Sequence, residues 1–326
     1  MVNPEPLSPD CLEACVPLLK SHPFKPYAHY ADRAGEVSIE QFFVARVRTS
    51  IEADGYSALW VRGPDGALAL AVWTRLGWDS ERLGYGAGWL HYLVAAGDYQ
   101  QRWDLEESLL KAVLENCARQ GIRHLSARVS ALDLITIHLL EQYGFAIMDG
   151  ILTFSLDIHD GCFPTEFEGL SVRLSQLEDI EQIKEIARTS YVHDRFHSDP
   201  LIPKEVADNI YAEWMENSCL GKVADAVIVA ERDGCVLSYA TCKVDHQATE
   251  YLGFGIGTIV LVATATEARG QGLARATTYG ALNWFRQHGV QIVEVGTQLQ
   301  NIPAARLYES CGFKLVASSL SLRKWI

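Results

Sequence analysis

Beyond Leu170 the apolar positions change period block by block. Leu170 to Leu174 reads as a short strand, and Ile180, Ile183, Ile186 and Ala187 fall on one face of a helix. Strands are expected at Ala226–Glu231, Val236–Val244 and Gly257–Ala263, with a hairpin turn at Asp233-Gly234. A helix is expected from about Leu273 to His288, with Leu273, Thr277, Gly280, Ala281 and Trp284 facing inward. Gly289 ends it, because a left-handed C-cap is easiest for glycine. A strand at Gln291–Gly296 leads to a helix near Pro303–Cys311, with Pro303 in its first turn and Gly312 as its cap. A last strand starts at about Leu315. The fold class is therefore α/β (α+β), a mixed and mostly antiparallel sheet flanked by helices.

The first half ends in the same rhythm. Gly121 lies 24 residues before Phe145, and Gly289 lies 24 before Phe313. Leu139-Leu140-Glu141-Gln142-Tyr143-Gly144-Phe145 parallels Leu307-Tyr308-Glu309-Ser310-Cys311-Gly312-Phe313. The matched spacing points to a duplication. Asp157 to Gly169 is polar, with two glycines and a proline, and reads as the connection. The expected division is 1–157, a linker at 158–169, and 170–326.

The two halves differ in one place. Arg269-Gly270-Gln271-Gly272-Leu273-Ala274 follows a buried strand and opens a helix. Two glycines let the backbone turn sharply and approach a ligand, and the first N–H groups of the helix face an anion. At the same offset the first half carries Gln101, Arg102, Trp103, Asp104 and Glu106, without either glycine. Tyr308 falls opposite Leu140. One phosphate-binding loop per chain is expected, and the first half is read as a structural or acceptor-binding partner.

Composition narrows the classes. The 326 residues suit two domains, and 48% hydrophobic with 21% charged is ordinary for a globular chain. A formal net charge of −13 disfavours nonspecific nucleic-acid binding but leaves room for a backbone anion site. No apolar run reaches a membrane span, and Met1-Val2-Asn3-Pro4-Glu5 lacks the pattern of a secretory signal. The eight cysteines are scattered and read as reduced thiols, so a cytoplasmic location and no metal are expected. A homodimer is left open.

The loop and the segment after it resemble the GCN5-related N-acetyltransferases (GNAT). Their pyrophosphate loop, Arg/Gln-x-x-Gly-x-Gly/Ala, is met by Arg269, Gly272 and Ala274, and their next motif by Asn301, Ala304, Tyr308 and Gly312-Phe313. The resemblance implies two tandem GNAT-like domains with a degenerate N-terminal copy, and acetyl-CoA as acyl donor. It implies that Val262, Ala263 and Thr264 offer backbone groups to pantetheine and the developing oxyanion. It also implies that Asn301 bonds the pantetheine arm and that Tyr308 protonates the leaving thiolate. From the residues alone, Asn301 also suits a helix N-cap and Tyr308 a core aromatic.

A further resemblance, from about Gly77 to the end, is to bacterial TDP-fucosamine (TDP-4-amino-4,6-dideoxygalactose) N-acetyltransferases. It rests on Gly77 to Gly84, Leu139 to Gly150, Asp194-Arg195-Phe196, Tyr211 to Asn217 and Leu282-Asn283-Trp284. It implies direct transfer to the amine of a nucleotide-linked amino-deoxy sugar. Asp149 stands where that group carries an acid and is the candidate base, able to point into a cleft between the halves; Asp149-Gly150 equally suits a turn. Asp245 and Glu250 are alternative bases. Arg195 and Phe196, in the cluster His193 to His197, are candidates for the nucleotide sugar. About 70 additional residues at the start set this chain apart and suit completion of the first copy. A peptide N-terminus or small-molecule amine as acceptor, and a noncatalytic acyl-CoA sensor, are the competing readings.

Overall fold

Glycines close the helices where the sequence predicts. Gly121 and Gly144 take φ of 68° and 79°, and Gly289 and Gly312 take 75° and 94°. These left-handed caps stand at corresponding places in the two halves, 168 residues apart. The computed structural model describes residues 3–326. It has two units, Met1–Gly150 with Ser318–Ile326, and Ile151–Ala317.

The first unit holds strands β1 (Glu5–Pro6), β2 (Tyr56–Gly63), β3 (Gly66–Leu76), β4 (Gly86–Ala95) and β5 (Ile122–Ser130). Its helices are α1 (Val16–Ser21), α2 (Ala31–Ala34), α3 (Glu36–Glu52), α4 (Gly77–Leu83), α5 (Tyr99–Arg119) and α6 (Leu134–Gln142). The sheet is antiparallel except for the β4/β5 pair. Leu109, Leu110, Val113 and Cys117 of α5 bury one of its faces with Trp73, Leu125 and Leu139. The first 76 residues supply three of its strands.

The second unit holds β7 (Ser171–Leu174), β8 (Ala226–Arg232), β9 (Cys235–Val244), β10 (Gly255–Thr264) and β11 (Val290–Gln298). Its helices are α7 (Ile180–Ser190), α8 (Lys204–Cys219), α9 (His246–Leu252), α10 (Leu273–Gln287) and α11 (Ile302–Ser310). Here too the sheet is antiparallel except for one pair, β10/β11. The turn at Asp233-Gly234 has φ of 52° and 79°, as a two-residue hairpin of the primed type requires. Helices α8 and α9 are additions to the predicted elements. The inward stripe of α10 is also rotated from the predicted one. Leu282 and Phe285 are fully buried with Ala281, whereas Trp284 is half-buried and stacks on His288.

Two strands cross from one unit to the other. In β6 (Ala146–Asp157), residues Ile151–Asp157 pair antiparallel with Ile292–Gln298. In β12 (Lys314–Trp325), residues Ser319–Trp325 pair with His124–Ser130. Each half of the sequence therefore completes the sheet of the other, and the units are not divided linearly at 158–169. Pairing these segments covers the β5 and β11 edges, which would otherwise expose unpaired backbone groups.

The duplication extends to close packing. A Cβ on Gly86 would lie 2.0 Å from the Gly121 carbonyl oxygen, and one on Gly255 would lie 2.5 Å from that of Gly289. Each contact sits where the parallel pair starts and shifts register, between Gly86 and Ala87 and between Gly255 and Ile256.

Candidate active site

The loop before α10 is built by backbone conformation. Gly270 and Gly272 take φ of 76° and 84°, and a Cβ on either would meet nothing within 4 Å. Glycine is needed for the turn, and the space beside it is open. The first helical hydrogen bond here is donated by Ala276 N to Gly272 O at 3.0 Å. The N–H groups of Leu273, Ala274 and Arg275 precede it and are free to face an anion. Arg269 Nε donates to Thr264 O at 3.3 Å, and Gln271 donates to Glu267 O at 3.1 Å while accepting from Arg232 at 2.9 Å. Arg275 donates to Ser310 Oγ at 3.2 Å. Three guanidinium groups thus flank the loop of an acidic chain. Arg232 and Arg275 escape a search for glycine spacing, since one lies on β8 and the other has its place fixed by α11.

Beside the loop the sheet opens. Strands β10 and β11 pair in parallel only as far as Ile259 and Val295. Beyond that, β10 stays paired with β9 through Thr264, and β11 with β6 through Gln298. The inner edges of Val260–Thr264 and Gly296–Gln298 are not paired with each other, so the backbone groups of this β10 segment that turn away from β9 can meet an extended ligand as another strand would, while Ala263 O accepts from Ser238 Oγ at 2.9 Å and Thr264 O from Arg269. The β9/β10 register shifts between Ile259 and Val262, which re-aims this segment.

Asn301 is the N-cap of α11; its Oδ1 accepts from Ala304 N at 3.3 Å. Its oxygen is committed to the helix, and its amide NH2 is the part suited to a ligand. Ala304, one turn before Tyr308, is partly buried against the core that holds Tyr308. Tyr308 is 4% exposed and packs against Phe154 and Phe313 at 6.0 and 5.9 Å between ring centroids. Burial, with the nearby Cys311 thiol, pushes its phenol well above the ordinary value, so it keeps its proton at neutral pH.

The cluster His193 to His197 is reassigned. Phe196 is 1% exposed and meets Tyr211 edge-on, so its ring belongs to the core and leaves the set of substrate-facing residues. Arg195 lies over the Phe196 ring at 4.1 Å. Asp194 accepts from Phe196 N at 2.9 Å and from His197 Nδ1 at 2.5 Å, while His197 Nε2 reaches Asp208 at 2.9 Å. Both ring nitrogens face carboxylates, which suits an imidazolium. Burial works against that charge, but the bonds to Asp194 and Asp208 outweigh it and raise the pKa.

Two tyrosines that the sequence reading did not single out join this region. Tyr191, at the end of α7, stacks on Tyr211 at 4.1 Å, and its hydroxyl lies 3.0 Å from that of Tyr239 on β9. Among the candidate bases, Asp245 caps α9 by accepting from Ala248 N at 2.9 Å, and Glu250 is exposed on α9. Asp149 is buried in the part of β6 that belongs to the first unit.

The first unit repeats the frame without the loop. The parallel pairing of β4 and β5 also stops early, at Leu90 and Ala127. The start of α10, shifted by 168, falls at position 105, yet α5 begins six residues earlier at Tyr99. Residues that would form the loop are helical, and Asp98 caps them in a reciprocal box with Gln101. Arg102 bonds Glu106 at 2.5 Å and Asp133 at 2.6 Å, and Thr136 donates to Glu106 at 2.9 Å. Here Arg102, Glu106, Asp133 and Thr136 satisfy one another.

Residues 180–313 match the Acetyltransferase (GNAT) family. The second unit belongs to this family. The chain is 29% identical over 199 residues to the spore coat polysaccharide biosynthesis protein SpsD of Bacillus subtilis, covering 61% of this chain and 65% of that protein. It is 22% identical over 187 residues to the dTDP-fucosamine acetyltransferase of Escherichia coli O6:H1, covering 57% of this chain and 75% of that one. The match thus spans under two thirds of SpsD. Among solved structures, a tandem GNAT protein from the clavulanic acid biosynthesis pathway superposes with a TM-score of 0.63 at 15% identity, over all of this chain and 98% of that one. The whole chain therefore has the tandem GNAT fold, with the Gly270–Gly272 loop in the second unit and helix at the corresponding place in the first.

Proposed function

We propose that the chain transfers an acetyl group from acetyl-CoA directly to the amine of a nucleotide-linked, TDP-type amino-deoxy sugar. The observation that carries the acyl-CoA part is the end of the β10/β11 pairing beside the positive-φ loop Gly270–Gly272. An opening with strand-like donors on one edge and a helix N-terminus with open space beside its glycines at the end fits an acyl-CoA. The amino sugar rests on similarity to the dTDP-fucosamine acetyltransferase and to SpsD.

Acetyl-CoA supplies an activated thioester. Arg269, Gly270, Gln271, Gly272, Leu273 and Ala274 hold its pyrophosphate, chiefly through backbone N–H groups. Val262, Ala263 and Thr264 hold the pantetheine arm along β10, with the Asn301 amide NH2 and Ala304 on the other side. Backbone N–H at Val262–Thr264 meets the oxygen that gains charge as the neutral amine attacks. Tyr308, kept protonated by burial, delivers its proton to the departing sulfur. A base must first take a proton from the ammonium form of the acceptor. Asp149 is assigned that role on the resemblance to the fucosamine enzymes, and Arg195 is assigned to the nucleotide.

The test is an acetyl-CoA assay across TDP- and UDP-linked amino sugars, with the free sugars as controls and calorimetry for acetyl-CoA itself. Transfer is expected to a TDP-linked amino sugar. Acetyl-CoA binding without transfer to any nucleotide sugar would overturn the acceptor and leave the acyl-CoA site standing.

A further inference from the structure

The Tyr191 and Tyr239 hydroxyls lie 3.0 Å apart, and either could donate to the other. Among the described residues neither has another hydrogen-bond partner. Tyr239 is fully buried, while Tyr191 is partly exposed. If Tyr191 donated, the Tyr239 proton would be stranded in the core, which is costly. The favoured arrangement has Tyr239 donating to Tyr191, which leaves the Tyr191 proton pointing away from the core.

Its direction is set by the sheet. Ser238 reaches Thr277 of α10 at 3.3 Å, so the next residue, Tyr239, faces the opposite side, where α7 and α8 lie. Tyr308 is packed with α10 residues on the first side. Tyr239 is the register partner of Ala263, in the β10 segment beyond its pairing with β11, so the Tyr191–Tyr239 pair lies at that opening across the sheet from Tyr308. The two phenols approach from opposite faces, and between them β10 and β11 are unpaired. Tyr191 therefore stands at the reacting end of the opening. An attacking amine needs its lone pair free, so a donor there suits the thioester carbonyl oxygen.

We propose that Tyr191 is a catalytic hydrogen-bond donor to the acyl carbonyl oxygen, and that Tyr239 is the positioning residue that orients its proton. The amine nitrogen forms a bond to the carbonyl carbon, and the C=O electron pair moves onto oxygen. That pair returns as the C–S bond breaks, the sulfur takes the Tyr308 proton, and the surplus N–H proton of the new amide passes to the Tyr308 phenolate directly or through water. The Tyr191 proton is shared with the oxygen throughout and is not transferred. This inference rests on the acyl-CoA site proposed above.

Tyr191→Phe keeps the ring that stacks on Tyr211 and removes only the donor. The experiment is isotope-edited infrared spectroscopy of carbonyl-labelled acetyl-CoA bound to wild type, Tyr191→Phe, Tyr239→Phe and the double variant, together with kcat. The carbonyl band is expected to move to higher frequency in Tyr191→Phe and less so in Tyr239→Phe, with kcat for Tyr191→Phe down about 10²-fold. The double variant should be no worse than Tyr191→Phe, because Tyr239 acts through it. An unshifted band in Tyr191→Phe overturns the inference, as do additive losses or a rise confined to the acceptor KM. Absence of acetyl-CoA binding to wild type would instead overturn the acyl-CoA site and this inference with it.

Discussion

Asp133 and Asn301 hold the same post in the two units. Each caps a helix by accepting from the backbone N–H three residues on, Thr136 at 3.5 Å and Ala304 at 3.3 Å. They differ in charge, and the difference decides what surrounds them. Asp133 is an anion, and Arg102 binds both its oxygens at 2.6 and 2.8 Å. Asn301 is neutral and keeps an NH2 group for something else.

The Arg102 network is buried, so Arg102→Met should be costly. It strands Glu106, which is fully buried, and Asp133, which is 4% exposed. Breaking a buried ion pair from one side costs about 3–5 kcal/mol. Urea denaturation of the variant should show a loss of that order. A loss under about 1 kcal/mol would mean the network is not the stable filling of this region. In the same unit the loop is helical, so calorimetric titration of wild type should saturate at one acetyl-CoA per chain. Two equivalents would contradict this assignment of the units.

Gly272 tests the cradle. Its φ of 84° costs an L-residue about 1–2 kcal/mol, although a methyl there meets nothing within 4 Å. Gly272→Ala should therefore fold with modestly reduced stability. Its methyl enters the space assigned to pyrophosphate, so the acetyl-CoA Kd should rise at least about tenfold, because the backbone can no longer approach the ligand. An unchanged Kd would remove the loop from the site.

Acid and base should separate in the pH profile. Tyr308→Phe should lower kcat by about 10²–10⁴-fold with acetyl-CoA affinity retained, across the neutral range. Turnover at the wild-type level would exclude Tyr308 as the acid. Asp149→Asn should lower turnover most at low pH, where the acceptor amine is charged. A flat ratio to wild type across pH would exclude Asp149.

His197 predicts a pH dependence of stability. Its folded pKa is raised above the ordinary 6.5 by Asp194 and Asp208, against the opposing effect of burial. Such a group stabilises fully below its unfolded pKa, and the contribution is lost as pH rises through the folded value. Asp194 and Asp208 have lowered pKa values: burial opposes the shift, and their bonds to His197, and to Lys204 for Asp208, outweigh it. Their contribution is lost at the acid end. The stability advantage of wild type over His197→Gln, read from urea midpoints, should shrink between pH 6 and pH 9. An advantage that stays constant over that interval would mean the ring is not held as a cation.

Much of the second unit was legible because its signals are local. The two glycines before α10 demand positive φ wherever they sit, and Asp233-Gly234 does the same for a hairpin. The 24-residue rhythm from Gly121 to Phe145 and from Gly289 to Phe313 survives because helix caps recur with the elements they close. Even the missing loop was readable, since Gln101 to Asp104 contain no residue that breaks a helix.

What the sequence by itself determined is thus most of the order of elements after Leu170, the duplication and the single glycine loop, all set by backbone preferences within a few residues. Tertiary structure decided the rest. Which strand completes which sheet depends on pairing between segments as distant as Ile151 and Gln298, and no local period records it. Nor does any local pattern show that Asp133 is met by Arg102, that Phe196 is core, or that Tyr191 and Tyr239 share a hydrogen bond across 48 residues. Those outcomes come from burial, which makes each polar group find a partner in space rather than in sequence.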